Sequence, residues 1–411
     1  MRLLILSDDY LPTSTRVHAK MLHELALEFK AKGHDVVVLT PGKLDQTQKL
    51  VKDRIEGVEV WRFKSGAVKD ISRVHRLINE SLLSFRAWQA IKPEINAIEF
   101  DGIVFYSPTI FFGFLVAKLK KVFDCRSYLV LRDLFPQWAI DEKMIGEHSP
   151  VTYYLRYFER INYQAADRIG LMSEKNIQVF SKLQPGFTSV EVLRNWVSSD
   201  LDVATESFWR KKLGLEDKVV FLYGGNIGKA QDMPNLMRLA FSMREEAKAQ
   251  FVFVGQGESY QEVADFINSN GLQNVTLMPS ISQDEFKGLL SEVDVGLFSL
   301  ARTHTAHNFP GKILGYIACA LPILGSVNPG NDLMDMVNAH QAGFVYENGD
   351  DEALLKAAQD LVASPELRQE LGKNAKALLD SHFSVESAVN KIVKALESNS
   401  ETLLEQRAGK A

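Results

Sequence analysis

Short, unbroken apolar runs return at regular intervals along the chain, and helix-period stretches separate them. The runs cover residues 3–7, 36–40, 58–63, 103–106, 128–132, 169–172 and 190–193, then 219–223, 251–254, 275–278, 295–298, 323–325 and 344–346. Most are continuous Val, Ile, Leu and Phe rather than alternating, which is how strands buried on both faces read. Helical patterns such as 16–32, 234–247, 260–270 and 350–363 lie between them. Strand, helix, strand in this rhythm predicts parallel α/β sheets, and the pattern is written twice.

A length of 411 residues also favours two domains. The polar stretch Asn195-Trp196-Val197-Ser198-Ser199-Asp200 predicts the seam. This gives a first domain over 1–195 and a second over 196–382, with the closing helix of 383–411 packing back on the first. The net charge of −5 argues against a nucleic-acid binder. Cys125 and Cys319 are the only cysteines. They form neither a disulfide framework nor a metal-ligand spacing, which suits a reducing compartment. The N-terminal run is too short for a signal peptide, and 110–117 is far below the ~18 apolar residues of a spanning helix.

Ligands of open parallel sheets bind beyond the carboxyl ends of strands, so those corners hold the candidates. In "FLYGGNIGKAQD", Gly225, Asn226 and Gly228 let backbone approach a ligand, and Lys229 adds a charge. In "HTAHNFPGKILGYIACALPIL", His307, Asn308, Phe309, Pro310 and Gly311 lead into a helix start carrying Lys312. A charged hydrogen bond contributes about 1.5–3 kcal/mol and a helix N-terminus about 0.3–2 kcal/mol. Two lysines and two helix ends thus reach about half of the ~8 kcal/mol behind micromolar binding. A diphosphate is the expected anion. "FVFVGQGES" makes a further corner at Gly255 and Gly257, either a ligand approach or a tight turn.

In the first half, Arg16 and His18 open a helix after Asp8 and Asp9, and Asp133 ends a strand in "YLVLRDLFPQW". A first-turn arginine opposes the helix dipole, which favours a ligand role for Arg16. Asp133 reads either as a general base or sugar ligand, or as a cap. The spacing of Asp200 and Asp202 is one that holds metal in some transferases, but it falls in the predicted linker, and no metal site is expected.

From Arg62 to Lys92 there are seven Lys/Arg against two Asp/Glu, with Ile71, Val74, Ile78, Phe85 and Trp88 at helical spacing. Lys118, Lys120, Lys121 and Arg126 follow the apolar run at 110–117. Such stripes either face a core or dock on an anionic leaflet, at about 1 kcal/mol per well-placed cation.

Together these pieces resemble the retaining GT-B glycosyltransferases of family 4, and more narrowly the bacterial enzymes that transfer N-acetyl-fucosamine-type sugars in O-antigen or capsule assembly. "ELALEFKAKGHDVVVLTPG", "VEVLRNWVSSD", "GGNIGKAQD", "FVGQGES", "ACALPIL" and the closing "DDEALLKAAQDLVASPELRQELGKNAKALLDSHFS" carry the resemblance in order. It implies two Rossmann-like, doubly wound parallel-sheet domains facing across a cleft. The first would bind a lipid-linked saccharide acceptor and the second a nucleotide diphosphate sugar, with UDP as the expected nucleotide. It implies that Lys229 and Lys312 hold the diphosphate, with Arg16 reaching it, and that Met278, Ser280 and Ile281 lie by the base. Residues His307 to Gly311 would line the sugar. Retention would proceed by front-face attack without a metal or other cofactor, at the cytoplasmic side of a membrane. His307 and Gly315 stand where the family carries two glutamates, so the donor ribose is held differently or more weakly. The same plan serves two alternatives: a nucleotide-sugar epimerase or hydrolase, and a non-catalytic glycan or partner binder.

Overall fold

The computed structural model describes residues 1–12, 14, 17–67, 72–107, 109–141, 143–198, 208–303 and 310–397. They form two compact units, Met1–Arg194 with the segment from Val385, and Asn195–Ser384.

The first unit is built on an eight-stranded sheet: β1 (Arg2–Leu6), β2 (Asp35–Pro41), β3 (Leu50–Ile55), β4 (Val58–Phe63), β5 (Gly102–Ser107), β6 (Arg126–Leu131), β7 (Arg168–Leu171) and β8 (Val190–Val192). Their order across the sheet is β3-β4-β2-β1-β5-β6-β7-β8. Every pairing is parallel except β3 with β4, an antiparallel hairpin closed by Glu56 and Gly57, both at positive φ. β3, missed by the sequence reading, is an edge strand whose Lys52, Asp53 and Arg54 are exposed, so it has no apolar run to reveal it.

The runs of β1, β2, β5 and β6 are buried on both faces, as two-sided cover requires. Leu4, Leu6, Phe105 and Leu129 join one core with the helices Leu83–Ile91, Gly113–Phe123 and Pro150–Ala165. On the other face, Gly102 leaves room for Leu396, since a Cβ there would lie 2.9 Å from its Cδ1. Leu396 belongs to the helix Val385–Glu397, which packs beside the helix Val17–Ala31. Arg126 donates to the Ala395 carbonyl of that closing helix (3.2 Å).

The second unit holds β9 (Val219–Asn226), β10 (Ala249–Gln256), β11 (Val275–Met278), β12 (Val295–Ser299), β13 (Ile323–Val327) and β14 (Gly343–Glu347). Their order is β11-β10-β9-β12-β13-β14, all parallel. This is the Rossmann order, with its topological switch between β9 and β12, where such sheets bind ligands beyond the strand ends. β9 runs past the predicted end at Tyr223, because Gly225 and Asn226 still pair with Gly255 and Gln256 of β10. The helix predicted over 234–247 stops at Ser242 and turns at Met243. Among the described residues no helix is long and apolar enough to cross a membrane.

Candidate functional site

The switch point of the second sheet gathers glycines, aromatic rings and one lysine. Gly225, near the end of β9, has φ +127°, which side chains rarely tolerate. A Cβ on Gly255 would come 1.8 Å from the Gly225 carbonyl, so the ends of β9 and β10 close up only as glycine against glycine. Gly224 donates its N–H to Tyr316 Oη (3.2 Å), and Tyr316 Oη donates to the Leu297 carbonyl of β12 (3.0 Å). That pair of bonds ties the two strands that flank the switch point. Tyr223 Oη donates to the Asn226 carbonyl and holds the turn after β9.

Lys312 enters this corner from the first turn of the helix Gly311–Ala318. Its Nζ lies 3.6 Å from the centre of the Tyr223 ring, and its Cε 3.5 Å from where a Cβ on Gly225 would stand. No salt bridge to it is found among the described residues. The side chain keeps partial solvent contact, but protein surrounds the ammonium, and burial alone pulls its pKa down to about 7. The Tyr223 ring compensates the cation there, by about 0.5–2 kcal/mol. The helix starts at Pro310 with no capping side chain, so its leading dipole end faces the same corner. Gly311 is exposed, and open space surrounds its Cβ position. The arrangement suits an anion that neutralises Lys312 and accepts from backbone N–H groups.

The remaining candidates of this unit sit around that corner. Asn226 is exposed and donates to Gln231 Oε1 (2.9 Å). Gly228 precedes a short turn, Lys229–Gln231, in which the Lys229 side chain is exposed and its N–H donates to Glu258 Oε1 (3.3 Å). Met278 closes β11, and Ser280 and Ile281 follow it, with Ser280 exposed. β11 stands two strands from β9, about 10 Å away at the usual strand spacing. Arg16, His307, Asn308 and Phe309 lie outside the described residues, as do Asp200 and Asp202. Sequence reasoning missed Tyr223 and Tyr316. Their signal was an aromatic hydroxyl at the end of an apolar strand and another inside an apolar helix, where burial obliges each to find a partner.

The first unit has its own switch point, between β1 and β5. His18 stacks on Tyr106 of β5, with ring centres 5.3 Å apart, and its Nε2 is 3.9 Å from Asp9 Oδ2 beyond β1. Ser14 donates to the same carboxylate. Asp133, just past β6, is open to solvent on one side and crowded by protein elsewhere. Burial raises its pKa, and the charges of Arg132 and His18 oppose that rise. Arg132 is buried and donates to the carbonyls of Leu193 (2.7 Å) and Arg194 (3.2 Å), so it fastens the end of the sheet and leaves Asp133 as the carboxylate on offer. Among the described residues no His, Cys, Asp and Glu group is arranged to hold a metal.

Residues 205–378, nearly the whole second unit, match the family described as glycosyl transferases group 1. Over 348 residues the chain is 24% identical to the Escherichia coli (strain K12) protein WcaI, whose name assigns it to colanic acid biosynthesis as a glycosyl transferase. That match spans 77% of this chain and 81% of WcaI. Solved structures share the fold at low identity. An Anabaena HepE structure in complex with UDP-glucose has a TM-score of 0.63 at 16% identity, covering 97% of this chain and 100% of its own. WaaG, a glycosyltransferase involved in lipopolysaccharide biosynthesis, has a TM-score of 0.60 at 16% identity, covering 96% of this chain and 99% of its own. Sucrose-phosphate synthase of Thermosynechococcus elongatus has a TM-score of 0.65 at 15% identity, over the full length of both chains. The group 1 match lies over the Lys312 corner: the second unit is similar to the glycosyl transferases group 1, and the chain is a glycosyltransferase with the GT-B fold.

Proposed function

We propose that the chain transfers a sugar, an N-acetylated deoxyhexose such as N-acetyl-L-fucosamine, from a UDP-linked donor to a lipid-linked saccharide during surface-polysaccharide assembly. The observation that carries this reading is Lys312, a half-buried lysine at the switch point with a tyrosine ring beneath it and, among the described residues, no carboxylate paired with it. The donor diphosphate would lie against Lys312 and the start of its helix, and Lys229 would meet its outer oxygens. The reading assigns no metal to the site. The ~10 Å between the ends of β9 and β11 suits a nucleoside reaching from the diphosphate to Met278, Ser280 and Ile281. His307, Asn308 and Phe309 precede the helix directly and are assigned to the sugar.

In the reaction, the bond from the anomeric carbon to the diphosphate oxygen breaks while an acceptor hydroxyl bonds to that carbon on the same face. The hydroxyl proton passes to the departing phosphate. Lys312 and the helix end lower the barrier by meeting charge as it grows on that oxygen. Asp133 would accept a hydrogen bond from the acceptor saccharide and orient it. The WcaI name and the WaaG title support polysaccharide or lipopolysaccharide chemistry, and the HepE complex supports a UDP-sugar. The acceptor lipid places the work at the cytoplasmic face of a membrane.

Thermal shifts with UDP, GDP, ADP and their sugar conjugates test the reading, on the native chain and on Lys312→Ala. Ligand at about 100 times its Kd adds about 2.7 kcal/mol, a shift of a few degrees. A shift with UDP species that Lys312→Ala abolishes is expected. No shift with any nucleotide would refute the donor site and favour a non-catalytic binder.

A further inference from the structure

The apolar stripe of the first unit faces outward. Val74 is 67% exposed, Ile78 53% and Phe85 60%. Ile71 lies outside the described residues, and Trp88 is half-buried beneath Lys118, whose Nζ is 3.9 Å from its ring. The core-facing alternative therefore fails for Val74, Ile78 and Phe85.

Two more helices extend the surface. Pro150–Ala165 shows Tyr153 (64% exposed) and Tyr157 (57%) one turn apart, and Gly113–Phe123 shows Phe114 beside Tyr157, ring centres 6.3 Å apart. Tyr154 Oη donates to Ser81 Oγ (2.8 Å), joining that helix to the end of Arg73–Ser81. The four helices thus form one continuous face. Ten of the fifteen large exposed hydrophobics among the described residues lie on it or on Leu82 within it, against one in the second unit. Apolar exposure on that scale marks a binding surface rather than scattered surface residues.

The charge on these helices decides the partner. Residues 73–91, 113–123 and 150–165 carry eight Lys/Arg and two Asp/Glu, in a chain of net charge −5. Both acids, Glu80 and Glu159, are already paired, with Arg76 and Arg156 at 2.8 Å each. Lys121, two turns after Phe114, and Arg160, one turn after Tyr157, are both exposed. Lys120 is held by Asp167 (2.7 Å), which leaves Lys118, Lys121 and Arg160 as exposed cations among the aromatic rings. Tyrosine, tryptophan and phenylalanine interleaved with exposed cations match the headgroup layer of an anionic bilayer, apolar below and negative above.

We propose that this face, the outer surface of helices Arg73–Ser81, Leu83–Ile91, Gly113–Phe123 and Pro150–Ala165, docks the protein on an anionic lipid surface. The purpose rests on the reading of the acceptor as lipid-linked, and the place rests on these residues. The aromatic side chains enter the headgroup boundary while the lysines and arginines meet lipid phosphates. The reading of the sequence pattern reached only part of this surface, because the tyrosines of Pro150–Ala165 follow no basic run.

Flotation with vesicles of phosphatidylethanolamine and about 30% phosphatidylglycerol, against phosphatidylcholine alone, tests it. The full chain should float with the anionic vesicles and release as salt rises from about 0.05 to 0.5 M. The double variants Tyr153→Ser/Tyr157→Ser and Lys121→Glu/Arg160→Glu should each lower partitioning by about tenfold or more. Both change exposed residues, so their melting temperatures and nucleotide-induced thermal shifts should match the native chain. Equal flotation of native chain and variants overturns the proposal, as does native chain that ignores anionic vesicles. A native dimer that both variants turn into monomer also overturns it and assigns the face to a second copy. Flotation that persists where no nucleotide shifts the melting point leaves docking standing and removes the donor-site reading instead.

Discussion

Lys312 makes the stability of the chain depend on pH in a way one substitution should erase. Its pKa falls from the usual 10.5 to about 7 in the folded protein, because burial disfavours the ammonium. Between pH 7 and 10.5 the unfolded chain therefore holds a proton that the folded chain has released. Stability contributed by this group rises with pH across that window, and the penalty is complete below pH 7. A drop of that size corresponds to about 4–5 kcal/mol, and the solvent that reaches the half-buried side chain trims it to about 2–4 kcal/mol. Lys312→Met should remove the penalty and the slope together. Urea titrations at pH 6, 8, 10 and 11 read this directly. The variant should be more stable than the native chain by about 2–4 kcal/mol at pH 6, with the gap closing towards pH 11. Anion binding should return the proton. Calorimetry with UDP at pH 8, in two buffers of different ionisation enthalpy, should show close to one proton taken up, with affinity falling as pH rises above 7. In Lys312→Met the uptake should vanish and the affinity fall by about 10- to 150-fold, the loss of a charged hydrogen bond. Parallel pH–stability curves for the two proteins, or proton uptake that survives in Lys312→Met, would refute the reasoning.

Gly255→Ala should destabilise the second unit by about 3 kcal/mol or more, because its Cβ would meet the Gly225 carbonyl at 1.8 Å and neither strand can retreat. A melt within a degree of the native chain would show that the strand ends yield. Asp133→Asn should leave the UDP thermal shift unchanged and cut transfer to the acceptor by about 10- to 150-fold, the loss of a charged hydrogen bond, read by product formation at saturating donor. A weakened UDP shift with normal turnover would instead move Asp133 to the donor.

How much of this was legible depends on whether a position answers to its neighbours in sequence or in space. Thirteen of the strands were readable, most of them because two-sided burial demands unbroken apolar runs, as in Val219–Tyr223 and Phe251–Val254. β3 was not, since an edge strand beside a solvated face can be Lys-Asp-Arg at its centre, held by backbone bonds to β4 that composition does not record. The glycines after β9 were legible as a turn. That they extend the strand depends on Gly255, some thirty residues on, whose missing side chain lets the two backbones meet. The basic residues of the candidate site could be named from chain position. The Tyr223 ring beneath Lys312 could not, because the contact joins a strand end to a helix eighty-nine residues later. The outward stripe is the sharpest case. Val74, Ile78 and Phe85 have the same period whether they face a core or the solvent, so spacing alone leaves the choice open. What decides it is the opposite face of those helices, where Leu83, Ala87 and Ile91 already fill the core against β4 and leave the outer stripe without cover.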